Sequence, residues 1–215
     1  MDISSIDVKI LDQNLRVIGI LDTFESFIWT DRFYTHGDFE VHMIMDDFWY
    51  KLLQPKNYLQ CTLSDRLMII TKTVITTDVE EGSMLVISGK SLEFILTQRI
   101  AWGQKSMRGN FQNEVETLIN ESIIRPIDPD RKIDNFIFEP STDTQITDLT
   151  IDAQYNGDQL SSILQSNCED RKIGYRIETR EASTNIVSVN PDFWEYGSWE
   201  QTGKKMLAFI FGQKN

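Results

Sequence analysis

Both histidines of the chain lie in one short stretch, TDRFYTHGDFEVHM (residues 30–43), beside two carboxylates. His36, His42, Asp38 and Glu40 are residue types that could hold a divalent metal or move a proton. A metal site in a protein needs three or four ligands that converge, and a Gly-Asp pair breaks the strand between these two histidines. The pattern therefore favours loop and edge-strand histidines over a metal centre.

No serine stands in the setting of an activated nucleophile. The chain has no G-x-S-x-G sequence, and Ser83 and Ser88 neighbour glycines in a predicted hairpin and at a strand end. The adjacent acids at 46–47 and 80–81 are typical of solvated turns. The segment 103–106 (GQKS) lacks the upstream glycine of a phosphate-binding loop. These residue patterns predict no catalytic, cofactor-binding or metal-binding residues, and no enzyme.

The charge and composition of the chain argue against several further classes of protein. The chain of 215 residues has a net charge of −12, which disfavours direct binding of nucleic acid. Residues 1–50 carry ten acids against three bases, so we expect an acidic face there. There is no apolar run of about 18 residues, which predicts no membrane insertion, and the first residues do not form a secretory signal. Cys61 and Cys168 are too far apart for a CxxC motif, so we expect free, partly buried thiols.

Short strands dominate the first 90 residues. Alternating apolar and polar residues and turn-forming residues between them predict six or seven strands, at 6–11, 16–21, 27–30, 39–45, 58–63, 67–76 and 84–88. Two aspartates at 46–47 cap a predicted short helix over 48–53. This spacing of strands is typical of a barrel or a sandwich.

The pattern becomes helical after Gly89. Helices are predicted from Ser91 to about 99, after Asn110, and from 156–158 to about 172. Strands are predicted at 135–139, 173–179, 185–189 and 206–211. The fold class is therefore a β-rich α+β protein. Three domains are predicted: a β-barrel over 1–90, a helical α/β insert over 91–172, and strands of a second, incomplete β-barrel over 173–215.

Three stretches, in this order and at these distances, carry a family resemblance. They are FIWTDRFYTHGDFEV (27–41), MLVISGKSLEFILTQRIAWGQ (84–104) and NEVETLINESIIRPIDPDRKI (113–133). Together they resemble the tail-hub proteins of long, non-contractile-tailed phages and related prophages, which are similar in fold to the hub of contractile tails. The resemblance extends from Ile6 to about Gly212.

The resemblance implies a structural role. Such hubs are homotrimers in which each subunit contributes two tube-type β-barrels, with the α/β segments outside the ring. The implied protein extends or closes the tail tube in the virion tail, after assembly in the host bacterial cytoplasm. Its implied partners are itself, the distal tail or tube proteins, and receptor-binding proteins. DNA would pass through an acidic channel without specific binding. The resemblance leads us to expect closing strands of the second barrel after residue 212, so the sequence is expected to be either part of a longer chain or a shortened member of the family.

The candidate functional positions are aromatic residues and Gly37. Trp29, Phe33, Gly37 and Phe39 are predicted to form the core of a barrel corner, with Gly37 supplying a backbone bend. The predicted interface residues are Tyr34, Trp194, Tyr196 and Trp199. An alternative function is a carbohydrate-binding tail-tip module, because the last three of these could stack on sugar rings. A third candidate is a cell-wall hydrolase that uses acids of the helical insert.

Overall fold

The computed structural model describes residues 6–64, 66–78, 82–181 and 205–213. The strands are β1 Val8–Leu11, β2 Val17–Leu21, β3 Ser26–Thr30, β4 Asp38–Ile44, β5 Tyr58–Cys61, β6 Leu67–Asp78, β7 Gly82–Ser91, β8 Gln104–Asn110, β9 Phe136–Phe138, β10 Thr150–Asn156, β11 Ile173–Glu181 and β12 Lys205–Gln213. The α-helices are α1 Asp47–Leu52, α2 Phe111–Ile119, α3 Thr144–Thr147 and α4 Leu160–Arg171. Tighter 3-10 turns span Leu92–Gln98 and Pro129–Arg131, and α2 continues as a π turn over Asn120–Ile124.

The first seven strands form one antiparallel sheet, in the order β2-β1-β5-β6-β7-β4-β3. Along β4 the alternation is strict, because Phe39, Val41 and Met43 are buried while Glu40 and Ile44 are exposed. Within the described ranges, no strand pairs with the outer edge of β2 or of β3. The sheet is therefore open, and the closed barrel predicted for residues 1–90 is not confirmed.

This sheet curves strongly around its own core. The two edge strands follow each other in sequence, and residues 22–25 alone connect them, which keeps one end of β2 near one end of β3. Side chains from β1, β2, β4, β5, β6 and β7 share one buried cluster: Val8, Ile10, Leu21, Phe39, Val41, Met43, Leu53, Leu59, Met68, Ile70, Leu85 and Ile87. Helix α1 begins after Asp46, whose carboxylate accepts the N–H groups of Phe48 and Trp49.

A second core lies beyond β7. It is built from α2, α4 and the strands β8 to β11, and it includes Leu96, Phe111, Leu118, Leu164 and Tyr175. In the smaller sheets β8 pairs with β10, and β12 lies between β11 and β9, parallel to β9. Residues on both sides of position 172 contribute to this core. The three-domain division stays a prediction, as does the start of a second barrel.

Most of the predicted elements are confirmed by the structure, but one helix differs in type, and β8, β10 and α3 were not predicted. The turn after Ser91 is a 3-10 helix, and the Ser91 hydroxyl does not cap it. Strands β8 and β10 were missed because each buries one apolar side chain, Met107 and Ile151, among polar residues. The predicted strand 185–189 lies outside the described residues. No helix in the described part of the chain combines the length and the apolar character that a membrane crossing requires.

Candidate functional site

The segment between β3 and β4 joins the two cores. Thr30 pairs with Asp38 and Trp29 with Phe39, so residues 31–37 form the connecting loop. Phe33 lies against β11, since a Cβ built on Gly174 would be 2.5 Å from Phe33 Cε2. Its neighbour Tyr34 is half-buried against the second core. The residues that the sequence singled out therefore lie at the junction of the two cores.

Aromatic rings continue from this loop into the first core. Phe24, Phe27, Trp29 and Phe39 form a row with centroid separations of 5.2, 5.8 and 5.8 Å. Phe39 is buried and Trp29 is half-buried, and the shielded Trp29 Nε1 has no hydrogen-bond partner among the described atoms. Phe39, and in part Trp29, therefore pack in the first core, while the barrel-corner role predicted for them stays a prediction.

Gly37 is buried, and a steric reason explains why this position holds a glycine. A Cβ at this position would be 2.3 Å from the carbonyl oxygen of Thr30 and 3.2 Å from Met68 Cε. Its backbone is not in the left-handed region, so the close approach of β3 is what excludes a side chain. The predicted requirement for glycine therefore has a different cause from the predicted bend.

The two histidines have separate environments. His42 Nε2 lies 2.7 Å from Glu40 Oε1 on the outer face of β4. The His36 ring meets Phe94 edge-on, with centroids 5.6 Å apart. Among the residues that the structure describes, no group of three or more histidine, cysteine or acidic side chains could hold a metal ion. Cys61 and Cys168 are free, and both are fully buried where partial burial was predicted. Burial raises the pKa of the Cys168 thiol to about 12.

The charged side chains of this loop form ion pairs. Arg32 Nη1 donates to Asp38 Oδ2 at 2.8 Å, and Lys90 Nζ lies 3.4 Å from the same oxygen. The hydrogen bond from Arg32 lowers the pKa of the Asp38 carboxyl. Burial, followed by the charges of Lys90 and Arg32, lowers the pKa of His36. These charges stabilise a neutral His36 and a negatively charged Asp38.

A buried carboxylate, which the sequence analysis did not identify, lies behind the loop. Glu93 is 2% exposed, and its Oε1 accepts from Arg66 Nη1 at 3.0 Å and from the backbone N–H of Ile177 at 2.9 Å. Its other oxygen accepts the Ser91 hydroxyl, which itself accepts the N–H of Gly37 at 2.8 Å. Glu93 thereby connects the first sheet, the loop and β11.

The exposed apolar side chains mark candidate contact surfaces. On the edge strand β2, Val17, Ile18 and Ile20 face solvent, and the last two are 37% and 52% exposed. We call this strand the β2 edge. The predicted interface residues Trp194, Tyr196 and Trp199 lie outside the described residues. A subunit contact through Tyr34 stays a prediction.

Solved structures with a similar fold are tail proteins. The prophage tail protein gp18 from Listeria monocytogenes EGD-e aligns over 94% of this chain and 50% of its own, with a TM-score of 0.55 and 10% identity. The tail protein from Neisseria meningitidis MC58 aligns over 81% of this chain and 48% of its own, with a TM-score of 0.52 and 13% identity.

These similarities show a shared fold, and the chain spans about half the length of each solved structure. No curated protein matches the chain in sequence. A family model matches residues 7–208, nearly the whole sequence. The resemblance to proteins of long-tailed phages is thus confirmed, and this chain belongs to the family of siphovirus ReqiPepy6 Gp37-like proteins.

Proposed function

We propose that the chain is a non-catalytic structural subunit of a phage tail, located at the tail tip or baseplate hub. There it extends or closes the tail tube and anchors host-recognition proteins. Its membership of a siphovirus family and its tail-protein fold support this role. The observation that carries the proposal is the β2 edge, an apolar strand that has no partner on its outer side in the described residues.

An exposed sheet edge is a surface for pairing with another chain. Its free N–H and C=O groups can add a strand, and apolar side chains stabilise the added strand. Soluble proteins often protect such edges with lysine or proline, and β2 reads VIGIL and contains neither a charge nor a proline. Its pairing with β1 is irregular at Ile18, where the register shifts by one residue. Its location on an open sheet supports a role for the β2 edge in assembly.

The opposite edge of the same sheet, β3, is also unpaired in the described ranges. Contact between two different edges of neighbouring copies is heterologous, and a heterologous contact that closes forms a ring. In the proposed homotrimer, neighbouring copies complete tube-type β-barrels that one copy leaves open. This arrangement agrees with the curvature of the sheet around its own core.

The proposed ring encloses a channel through which DNA passes. DNA carries dense negative charge, so an acidic wall prevents adhesion. The net charge of −12 per chain supports such a wall, and Asp22 and Glu25 are exposed in the loop between the two edge strands. A ring of three copies would repeat these carboxylates around its axis.

The β2 edge is tested by replacing its exposed isoleucines together, Ile18→Lys and Ile20→Lys. We expect this variant to keep its fold, to lose the closed ring and to self-associate more weakly than the unmodified chain, because lysine on an edge strand opposes pairing with a second strand. Sedimentation velocity measures the association and circular dichroism checks the fold.

The matched control is Tyr50→Lys with Leu63→Lys, which adds the same charge at exposed apolar positions outside the strands. We expect the control to associate like the unmodified chain. Equal association of the edge variant and the unmodified chain would reject the β2 edge as the assembly surface. Gold-labelled antibody bound along the whole tail, and not at its tip, would reject the hub position.

A further inference from the structure

A second exposed apolar surface lies on the α/β part of the chain, away from the β2 edge in sequence. Trp102 is 75% exposed, and Ile100, two positions earlier in the sequence, also faces solvent. The guanidinium carbon of Arg131 lies 5.5 Å from the centroid of the Trp102 ring, which is cation–π geometry. We call Ile100, Trp102 and Arg131 the Trp102 patch.

The backbone beneath the patch is held in place. Arg99 O accepts the N–H of Leu160 at 2.9 Å, and Ala101 N–H donates to Asp158 O at 2.9 Å. Arg131 Nη2 donates to the carbonyl oxygen of Ile100 at 3.3 Å. The backbone on the N-terminal side of Trp102 is thus held in place, and Arg131 is anchored to that backbone before any partner binds.

Such an arrangement has the properties of an interface anchor. Tryptophan and arginine are the residue types enriched at the energetic centres of protein interfaces. A side chain that is already ordered loses little conformational entropy on binding. Large apolar side chains that are exposed together commonly mark an interaction site.

The charge around the patch indicates the chemistry of its partner. Segments 99–103 and 125–132 contain four basic residues against two acids, in a chain whose net charge is −12. Asp128 accepts the N–H of Asp130, and so forms part of the turn that carries Arg131. A matching surface is therefore apolar and acidic.

The chain itself has such a surface at the end of β4. Ile44 and Phe48 are exposed large apolar residues, and Asp46 and Asp47 lie exposed between them. Asp46 caps α1, while Asp47 lies in the first turn of that helix. We call residues 44–48 the acidic turn.

We propose that the Trp102 patch of one copy binds the acidic turn of a second copy. The apolar residues of the two surfaces pack together, and Arg131 pairs with Asp47. Because two different surfaces meet, the contact is heterologous and connects successive copies. The contact uses neither edge of the first sheet, so it is a separate contact from the one proposed at the β2 edge.

The test uses complementary variants in the Ile18→Lys/Ile20→Lys background, so that the β2 edge does not contribute. In one variant Asp47→Lys disables the acidic turn, and in the other Arg131→Glu disables the patch. We expect the background chain to self-associate and each variant alone to do so at least tenfold more weakly. Mixed together, the variants are expected to regain association, because the intact patch of one meets the intact turn of the other and the two reversed charges are also complementary.

Two further variants distinguish a loss of the contact from a loss of the fold. Trp102→Ser removes a side chain that is 75% exposed and is expected to weaken association in the same way. Lys72→Glu makes the same charge change as Arg131→Glu on β6 and is expected to have no effect.

The proposal is overturned if the background chain stays monomeric at its highest soluble concentration, or if the mixture does not associate more than its components. It is also overturned if Asp47→Lys behaves like the background chain, which would indicate a different partner for the patch. A negative result in the experiment on the β2 edge would not change these outcomes, because that edge is already blocked in every variant.

Discussion

Gly37 has no room for a side chain because two strands approach each other there. The carbonyl oxygen of Thr30 and the end of Met68 occupy the space that a Cβ would need. The N–H of Gly37 also donates to Ser91, whose hydroxyl contacts the buried Glu93. One small residue therefore positions both the β3–β4 loop and the polar group behind it.

Replacing this residue, Gly37→Ala, is expected to destabilise the fold by about 1–3 kcal/mol, since the added methyl group must displace backbone. Urea unfolding followed by circular dichroism measures the change. Gly19→Ala is the control, because its nearest neighbour is the flexible end of Leu52 at 3.1 Å. An equal loss in both variants would contradict the steric explanation.

At the scale of elements, Glu93 connects parts of the chain that are distant in sequence. Its carboxylate binds Arg66 from the loop before β6 and the N–H of Ile177 on β11. A buried carboxylate needs its partners, because an uncompensated charge in the interior is costly. This ion pair therefore helps to hold β11 against the turn that follows β7.

Removal of the positive partner, Arg66→Met, is expected to cost roughly 3–5 kcal/mol of unfolding free energy, because Glu93 stays buried without its counter-charge. Adding Glu93→Gln should recover part of the loss, since a neutral amide oxygen can still accept from Ile177 N–H. Chemical denaturation measures the unfolding free energy of the single and the double variant.

Lys132→Met is the control for this prediction, because it removes an exposed ion pair with Asp134. Such pairs contribute about 0–1 kcal/mol. A double variant that is no more stable than Arg66→Met alone would show that the charge of Glu93 is not the cause.

On the scale of the whole molecule, the features that support assembly are an open, curved sheet and exposed apolar surfaces. Neither the β2 edge nor the Trp102 patch is covered by any described part of the chain. Heterologous contacts of this kind produce either closed rings or open filaments, depending on the rotation between copies.

We expect the ring to contain three copies, as the family resemblance implies. Native mass spectrometry should therefore find a species of three times the chain mass of 25.0 kDa. Raising the salt concentration should leave the β2 contact largely intact, because it is apolar and made of backbone hydrogen bonds. A strict monomer, or a series of species without a limit, would contradict a closed trimer.

The sequence alone was sufficient for most strands and helices of the chain. Alternation in β4 and the caps at Asp46 and Asn110 are local patterns, and local patterns depend on residues a few positions apart. The same reasoning identified the region around Phe33, Gly37 and Phe39 as a packed corner. It did not show that this corner also touches β11.

Only the tertiary structure decided which distant groups meet. Gly37 and Ser91 are 54 positions apart, and Glu93 and Ile177 are 84 positions apart. An acid in the first turn of a helix has the same local pattern whether it is buried or solvated, so no short-range signal could identify Glu93. Local sequence also does not determine whether the sheet closes into a barrel, because closure depends on the curvature of all seven strands together. The chain therefore encodes its elements in short-range patterns, while long-range packing determines the junction, the open sheet and the exposed surfaces.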